Sequence, residues 1–157
     1  MQIDIGFGDI VYPRPERAEL PCMLDAPAPS LLCYSRESAI AEKFEAMVTL
    51  GELNSRMKDF YDIWLLCRQF AFELDKLAEA VKLTFKQRDT ELAEPIDAFT
   101  ETFAASHQPQ WTAFRKRLKQ EHLPESLAEI TAEVEAFMRP IFKGEATQAN
   151  WPPAGPW

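Results

Sequence analysis

No stretch of this chain approaches the roughly 18 consecutive apolar residues that a membrane-spanning helix needs, so none is expected. The start, Met1-Gln2-Ile3-Asp4, lacks both a basic region and a long apolar stretch; it does not read as a secretory leader, and a cytoplasmic protein is the expectation. The 3 cysteines, Cys22, Cys33 and Cys67, are odd in number and show no Cys-x-x-Cys spacing, which argues against a zinc site and a disulfide framework. The 2 histidines, His107 and His122, have no cysteine or carboxylate at ligand spacing and read as surface or capping residues. A basic surplus is missing too. The formal net charge is −8, so contact with nucleic-acid phosphates has to be local. The single basic cluster, Arg115-Lys116-Arg117-Leu118-Lys119, reads as a solvated helix face.

What is present is a 157-residue globular composition, 46% hydrophobic and 27% charged, long enough for one domain with its own core. The order of its parts suggests an end of a sheet and a proline-rich connector over 1–34, a helical lobe over 35–140 and a loose tail over 141–157. Ile3, Ile5 and Phe7 alternate with Asp4 and Gly6, the two-residue period of a half-buried strand running to Val11, with Asp4 on the opposite face. Prolines 13, 15, 21, 27 and 29 make residues 12–33 an extended connector, and Leu31 to Tyr34 can add one edge strand.

From Ser35 the period becomes helical. Ser35 and Ser38 supply capping groups, Ile40, Phe44, Met47 and Leu50 recur at three- and four-residue spacing, and Gly51 is a natural stop. Asn54 or Ser55 opens a second helix with the stripe Met57, Phe60, Tyr61, Trp64 and Leu65. Leu74, Leu77, Val81 and Phe85 mark a third, capped near Glu73 to Asp75. Further helices are expected around 95–105, 109–121 and 124–138, the last ended by Pro140. The segment from Gly144 to Trp157, rich in proline and glycine at its end, is expected to be loosely held.

Charged groups inside such apolar periodicity are costly unless paired or used. Asp59 and Asp62 share one helix face, and Lys58 can pair with Asp62 four residues on. Lys43 stands at the edge of the buried stripe of its helix, beside Glu42. Each of these can be an ordinary surface or boundary group. The short link around Gly51 and Asn54 nevertheless lets the two helices form a hairpin that carries Lys43 toward Asp59 or Asp62.

The phrases Asp4-Ile5-Gly6-Phe7-Gly8-Asp9, Tyr34-Ser35-Arg36-Glu37 through Ala41-Glu42-Lys43-Phe44-Glu45-Ala46, and Asn54 to Asp62 resemble, in matching order, the AbiEii/AbiGii nucleotidyltransferase toxin family. The likeness continues more weakly through Trp111-Thr112-Ala113-Phe114 and reaches about Pro140. It implies a mainly α chain with a small β remnant, the C-terminal helical lobe of a polymerase-beta-type nucleotidyltransferase. It also implies a toxin of a bacterial toxin–antitoxin and phage-defence system that transfers a nucleotide from an NTP, with Mg2+, to an acceptor such as tRNA. Lys43 would contact nucleotide phosphates, Asp59 with Asp62 would act as base or orienting carboxylates, and Asp4 would lie near the metal pair. An AbiEi-like antitoxin would be the partner. The family's Gly-Ser turn and Asp-x-Asp pair have no counterpart here, and Asp4 and Asp9 are too far apart to replace them. The chain is therefore expected to be truncated and inactive alone as a transferase. The competing expectation is a non-catalytic helical binding module, or an inactive remnant, in which Lys43 and Asp59 only hold the hairpin together.

Overall fold

The computed structural model describes residues 8–22, 25–119, 122–146 and 148–157. Five α-helices dominate these residues: α1 (Arg36–Leu50), α2 (Met57–Gln69), α3 (Leu74–Gln87), α4 (Glu101–Leu118) and α5 (Leu127–Lys143). Two small antiparallel sheets accompany them. Strand β1 (Glu16–Glu19) pairs with β2 (Ser30–Cys33), and β3 (Phe72–Glu73) pairs with β4 (Asn150–Trp151). The chain is thus mainly α with a little β, as its patterning indicates. No helix among the described residues is long and apolar enough to cross a membrane.

The expected strand over residues 2–11 falls mostly outside the described residues, Asp4 included, and Gly8 to Val11 are not strand. The connector also holds more than one edge strand, because β1 lies within it and supplies the partner of Leu31 and Leu32. That hairpin is solvent-exposed along nearly its whole length. It is tied to the helices by Tyr12, whose carbonyl accepts from the hydroxyls of Ser35 and Ser38 at 2.9 Å each. Ser35 also caps α1, accepting from the Ser38 N–H at 3.1 Å.

Apolar side chains at helical spacing make one core. Phe44 of α1 stacks on Phe99 and Phe142 and meets Phe85 of α3. Tyr61 of α2 lies against Phe114 of α4, and Phe60 against Phe103. Gly51 closes α1 at φ +51°, ψ −133°, and a Cβ there would come within 2.7 Å of Asp97 Oδ2, so the turn into α2 requires glycine.

Two helix boundaries expected from the sequence are overturned. The helices anticipated at 95–105 and 109–121 are one element, α4, running through Pro109. Residues on both sides of the proline, Phe103, His107, Trp111 and Phe114, are buried, and this shared burial offsets the roughly 3 kcal/mol that an internal proline costs. Pro140 likewise does not end α5, which continues through buried Ile141 to a left-handed cap at Gly144, φ +67°.

The histidine and tail readings are corrected as well. His107 is buried, stacked on Phe103 with centroids 4.0 Å apart and hydrogen-bonded through Nδ1 to the Phe103 carbonyl, while His122 is exposed. The tail that looked loosely held carries two buried tryptophans. Trp151 and Trp157 pack on Phe137, and their indole N–H groups donate to the carbonyls of Cys67 at 2.7 Å and Phe137 at 2.8 Å. Composition pointed to a loosely held segment; the structure seats two of its large aromatic side chains on the core with their donors satisfied.

Candidate functional site

Asn54 begins the site. Wholly buried after the turn, its Oδ1 accepts from the Arg56 N–H at 2.9 Å, so it caps a local turn and α2 starts only at Met57. Arg56 is thereby left at the mouth of α2. Asp59, one turn in, faces back toward it and toward α1, close to the positive end of the helix dipole.

Lys43 closes the α1–α2 hairpin on this carboxylate pair. Its Nζ lies 3.2 Å from Asp59 Oδ1 and 2.8 Å from Asp62 Oδ2. Arg56 Nε stands 2.8 Å from Asp59 Oδ2, without the alignment of a hydrogen bond, and Lys58 reaches Asp62 at 2.5 Å. Burial by itself would lower the Lys43 pKa. The hydrogen bond to Asp62 and the charges of Asp59 and Asp62 outweigh that and hold it above the ordinary 10.5. Lys43 is a permanent cation over the physiological range.

The residues expected to form the site thus meet, except Asp4, which lies outside the described residues. Their exposure separates their roles. Asp59 is almost fully buried, its side chain 4% accessible, whereas Lys43 keeps 21% and Arg56 58%. The carboxylate is the buried member of the group and the two cations are its more exposed partners.

Sequence reasoning missed the second support. Glu45 is buried in α1 between Phe44 and Ala46 and holds Arg88, at the end of α3, by a 2.6 Å bond to Nη1. Its other oxygen accepts from the hydroxyls of Thr49 and Thr90, each at 2.7 Å. Burial alone would raise the Glu45 pKa; the bonds from Thr49, Thr90 and Arg88 hold it below 4.5. Arg88 Nη2 lies 3.3 Å from Asp9 and 3.9 Å from Glu42. Glu42 in turn accepts from the Tyr34 hydroxyl, and its own pKa is raised, chiefly by burial and then by Asp9. The available signal was a glutamate at a core position, which demands a counterion somewhere. Nothing in the sequence points 43 residues downstream to Arg88.

Between these supports lies a cleft of roughly 290 Å³ lined by Tyr34, Ala39, Glu42, Lys43, Arg56 and Arg88. Three cations and one carboxylate face it in a chain of net charge −8. Larger clefts exist. One of about 490 Å³ beside Trp151 and Trp157 is mostly apolar, and one of about 870 Å³ beside the hairpin has a mixed, exposed lining. Neither is built on a buried carboxylate that holds cations toward it. The small cleft, near the lower end of ligand-pocket volumes, suits the phosphate end of a ligand.

A divalent ion does not fit at the carboxylates. A dication between Asp59 and Asp62 would have to displace Lys43, Arg56 and Lys58, and the described residues hold no group of three or more His, Cys, Asp and Glu able to bind a metal. What the arrangement can do is bind and orient an anion, neutralising charge with preorganised donors that need no rearrangement.

No curated protein and no solved structure matches the chain. The family model for the nucleotidyl transferase AbiEii toxin of type IV toxin–antitoxin systems, by contrast, matches residues 1–140, a span that takes in Tyr34, Glu42, Lys43, Arg56, Asp59, Asp62 and Arg88. The chain belongs to the AbiEii nucleotidyl transferase toxin family.

Proposed function

We propose that this chain serves nucleotidyl transfer from an NTP to an acceptor such as tRNA, in the cytoplasm, as the toxin of a phage-defence pair, and that its helical lobe supplies the phosphate-binding half of the site. Lys43 and Arg56 contact the triphosphate. Asp59 and Asp62 position them, Asp59 from beneath both and Asp62 from beside Lys43. The observation that carries this reading is the near-complete burial of Asp59 under two cations that line a cleft in an otherwise acidic protein. A buried ion pair that only stabilised the fold would be replaceable, both partners together, by apolar packing at little cost. One that holds two donors at a cleft mouth gives them a fixed geometry toward phosphate. Membership of a type IV toxin–antitoxin family brings an antitoxin as partner, and an AbiEi-like protein is the proposed one. Mg2+ accompanies the NTP by family habit; Asp59 and Asp62 are not its ligands in this reading.

A second reading has its own observation. Lys43 on α1 and the two aspartates on α2 form a clamp across the hairpin, which a non-catalytic binding module could use merely to hold its shape. Lys43→Gln separates the two. Folding retained with NTP binding lost supports the site, whereas a melting temperature lowered by several degrees with NTP binding retained supports the clamp.

A further inference from the structure

We infer that Arg88 is a third phosphate-binding group of the cleft and that Asp9 is the carboxylate a bound phosphate displaces from it. The inference rests on the nucleotide reading above and adds to it a residue and a competitor that the sequence does not reveal.

The two arms of the Arg88 guanidinium have unlike surroundings. Nη1 is locked: it bonds at 2.6 Å to a glutamate that is itself buried and whose other oxygen is filled by two threonine hydroxyls. Nη2 is held loosely, 3.3 Å from Asp9 and 3.9 Å from Glu42. Glu42 is engaged by the Tyr34 hydroxyl and stays with it. Asp9 is different. Its side chain is 41% accessible, and its carboxylate reaches Arg88 from a segment that is neither helix nor strand. A guanidinium anchored through one nitrogen keeps its remaining donors in a fixed plane, the geometry that recognises phosphate oxygens. A phosphate carries more charge than one carboxylate, and Lys43 and Arg56 line the same cleft as Arg88. Exchange of Asp9 for a phosphate oxygen therefore strengthens the contact without moving the anchor. In the empty cleft Asp9 satisfies Arg88; in the filled one it is released.

Inorganic tripolyphosphate, titrated calorimetrically into the full chain, is the probe, with unfolding midpoints recorded for every variant. Arg88→Gln should weaken binding about tenfold, the scale of one charge-assisted bond, and Arg88→Lys nearly as much, since lysine cannot hold Glu45 and a phosphate together. Asp9→Asn should tighten binding about threefold, because the competitor is gone while the cation stays. Asp75→Asn makes the same change in net charge on an exposed residue at the other end of α3 and should leave affinity unchanged. Should Arg88→Gln fail to fold, Arg88→Lys and Asp9→Asn carry the test. If Lys43→Gln abolishes binding while both Arg88 variants bind like the wild type, Arg88 is structural only, and the nucleotide reading survives. If Asp9→Asn binds no tighter than Asp75→Asn, Asp9 is no competitor. A wild-type chain that binds no tripolyphosphate overturns both this inference and the reading beneath it.

Discussion

Asp59 and Asp62 stand three positions apart, one buried and the other partly accessible, and that difference sets what each is worth. Asp59 is buried and holds Lys43 and Arg56; Asp62 is 17% accessible and shares Lys43 with the exposed Lys58. Removing one partner of a buried pair costs several kcal/mol, reduced here because Arg56 is more than half exposed. Asp59→Asn should destabilise the fold by about 2–3 kcal/mol and Asp62→Asn by about 1 kcal/mol, read from urea midpoints. Glu45 makes a different prediction. Its folded-state pKa lies below the ordinary 4.5, so its contribution to stability is full above that value and fades as pH falls through the lower folded value. Glu42, whose folded pKa is raised by burial and by Asp9, works in the opposite sense. Glu45→Gln isolates the first effect. Below pH 4.5 the variant's stability should decline less steeply than that of the wild type, as followed by circular dichroism. At this scale the pairing of Lys43 with the two aspartates was legible from the short link between their helices and from the family resemblance, since their charges alone read as ordinary surface or boundary groups. Arg56 and Arg88 were not: arginines on exposed helix ends look like any others until a buried carboxylate is seen to hold them.

Elements α1, α2 and α3 emerged from periodicity because each carries a single apolar stripe and a local end signal, Ser35 and Gly51 for α1 being the clearest. Where the reading failed, a tertiary contact had overridden a local rule. Pro109 and Pro140 are breakers by local chemistry, but α4 and α5 bury aromatic and aliphatic residues on both sides of them. The hairpin of β1 and β2 was half seen, since prolines around it drew attention away from the strand within. The tail shows the same override most sharply. Trp157, 5% exposed, lies parallel to Phe137 at 5.7 Å and beside Trp151 at 5.5 Å. Trp157→Ala should destabilise the protein by about 3 kcal/mol, within the range for a buried tryptophan, while leaving tripolyphosphate affinity unchanged. A melting curve beside one titration checks both halves. A truly loose tail would give no change in melting.

At the scale of the described residues, this acidic, mainly helical chain gathers Lys43, Arg56 and Arg88 around one small cleft. On the proposed reading, a net charge of −8 repels polyanions at long range, and the cleft would hold a phosphate at short range, through Lys43, Arg56 and Arg88 fixed by buried acids. Family membership is consistent with the proposed phosphate site, and the geometry names the atoms that would provide it. The most direct test watches the phosphates themselves. Phosphorus-31 NMR of ATP during titration with the chain should show the β and γ resonances shifting or broadening with the wild type and staying at their free positions with Lys43→Gln, folded under the same conditions. Phosphorus signals that never move with the wild type, or that move equally with Lys43→Gln, would contradict the assignment of this cleft to the triphosphate.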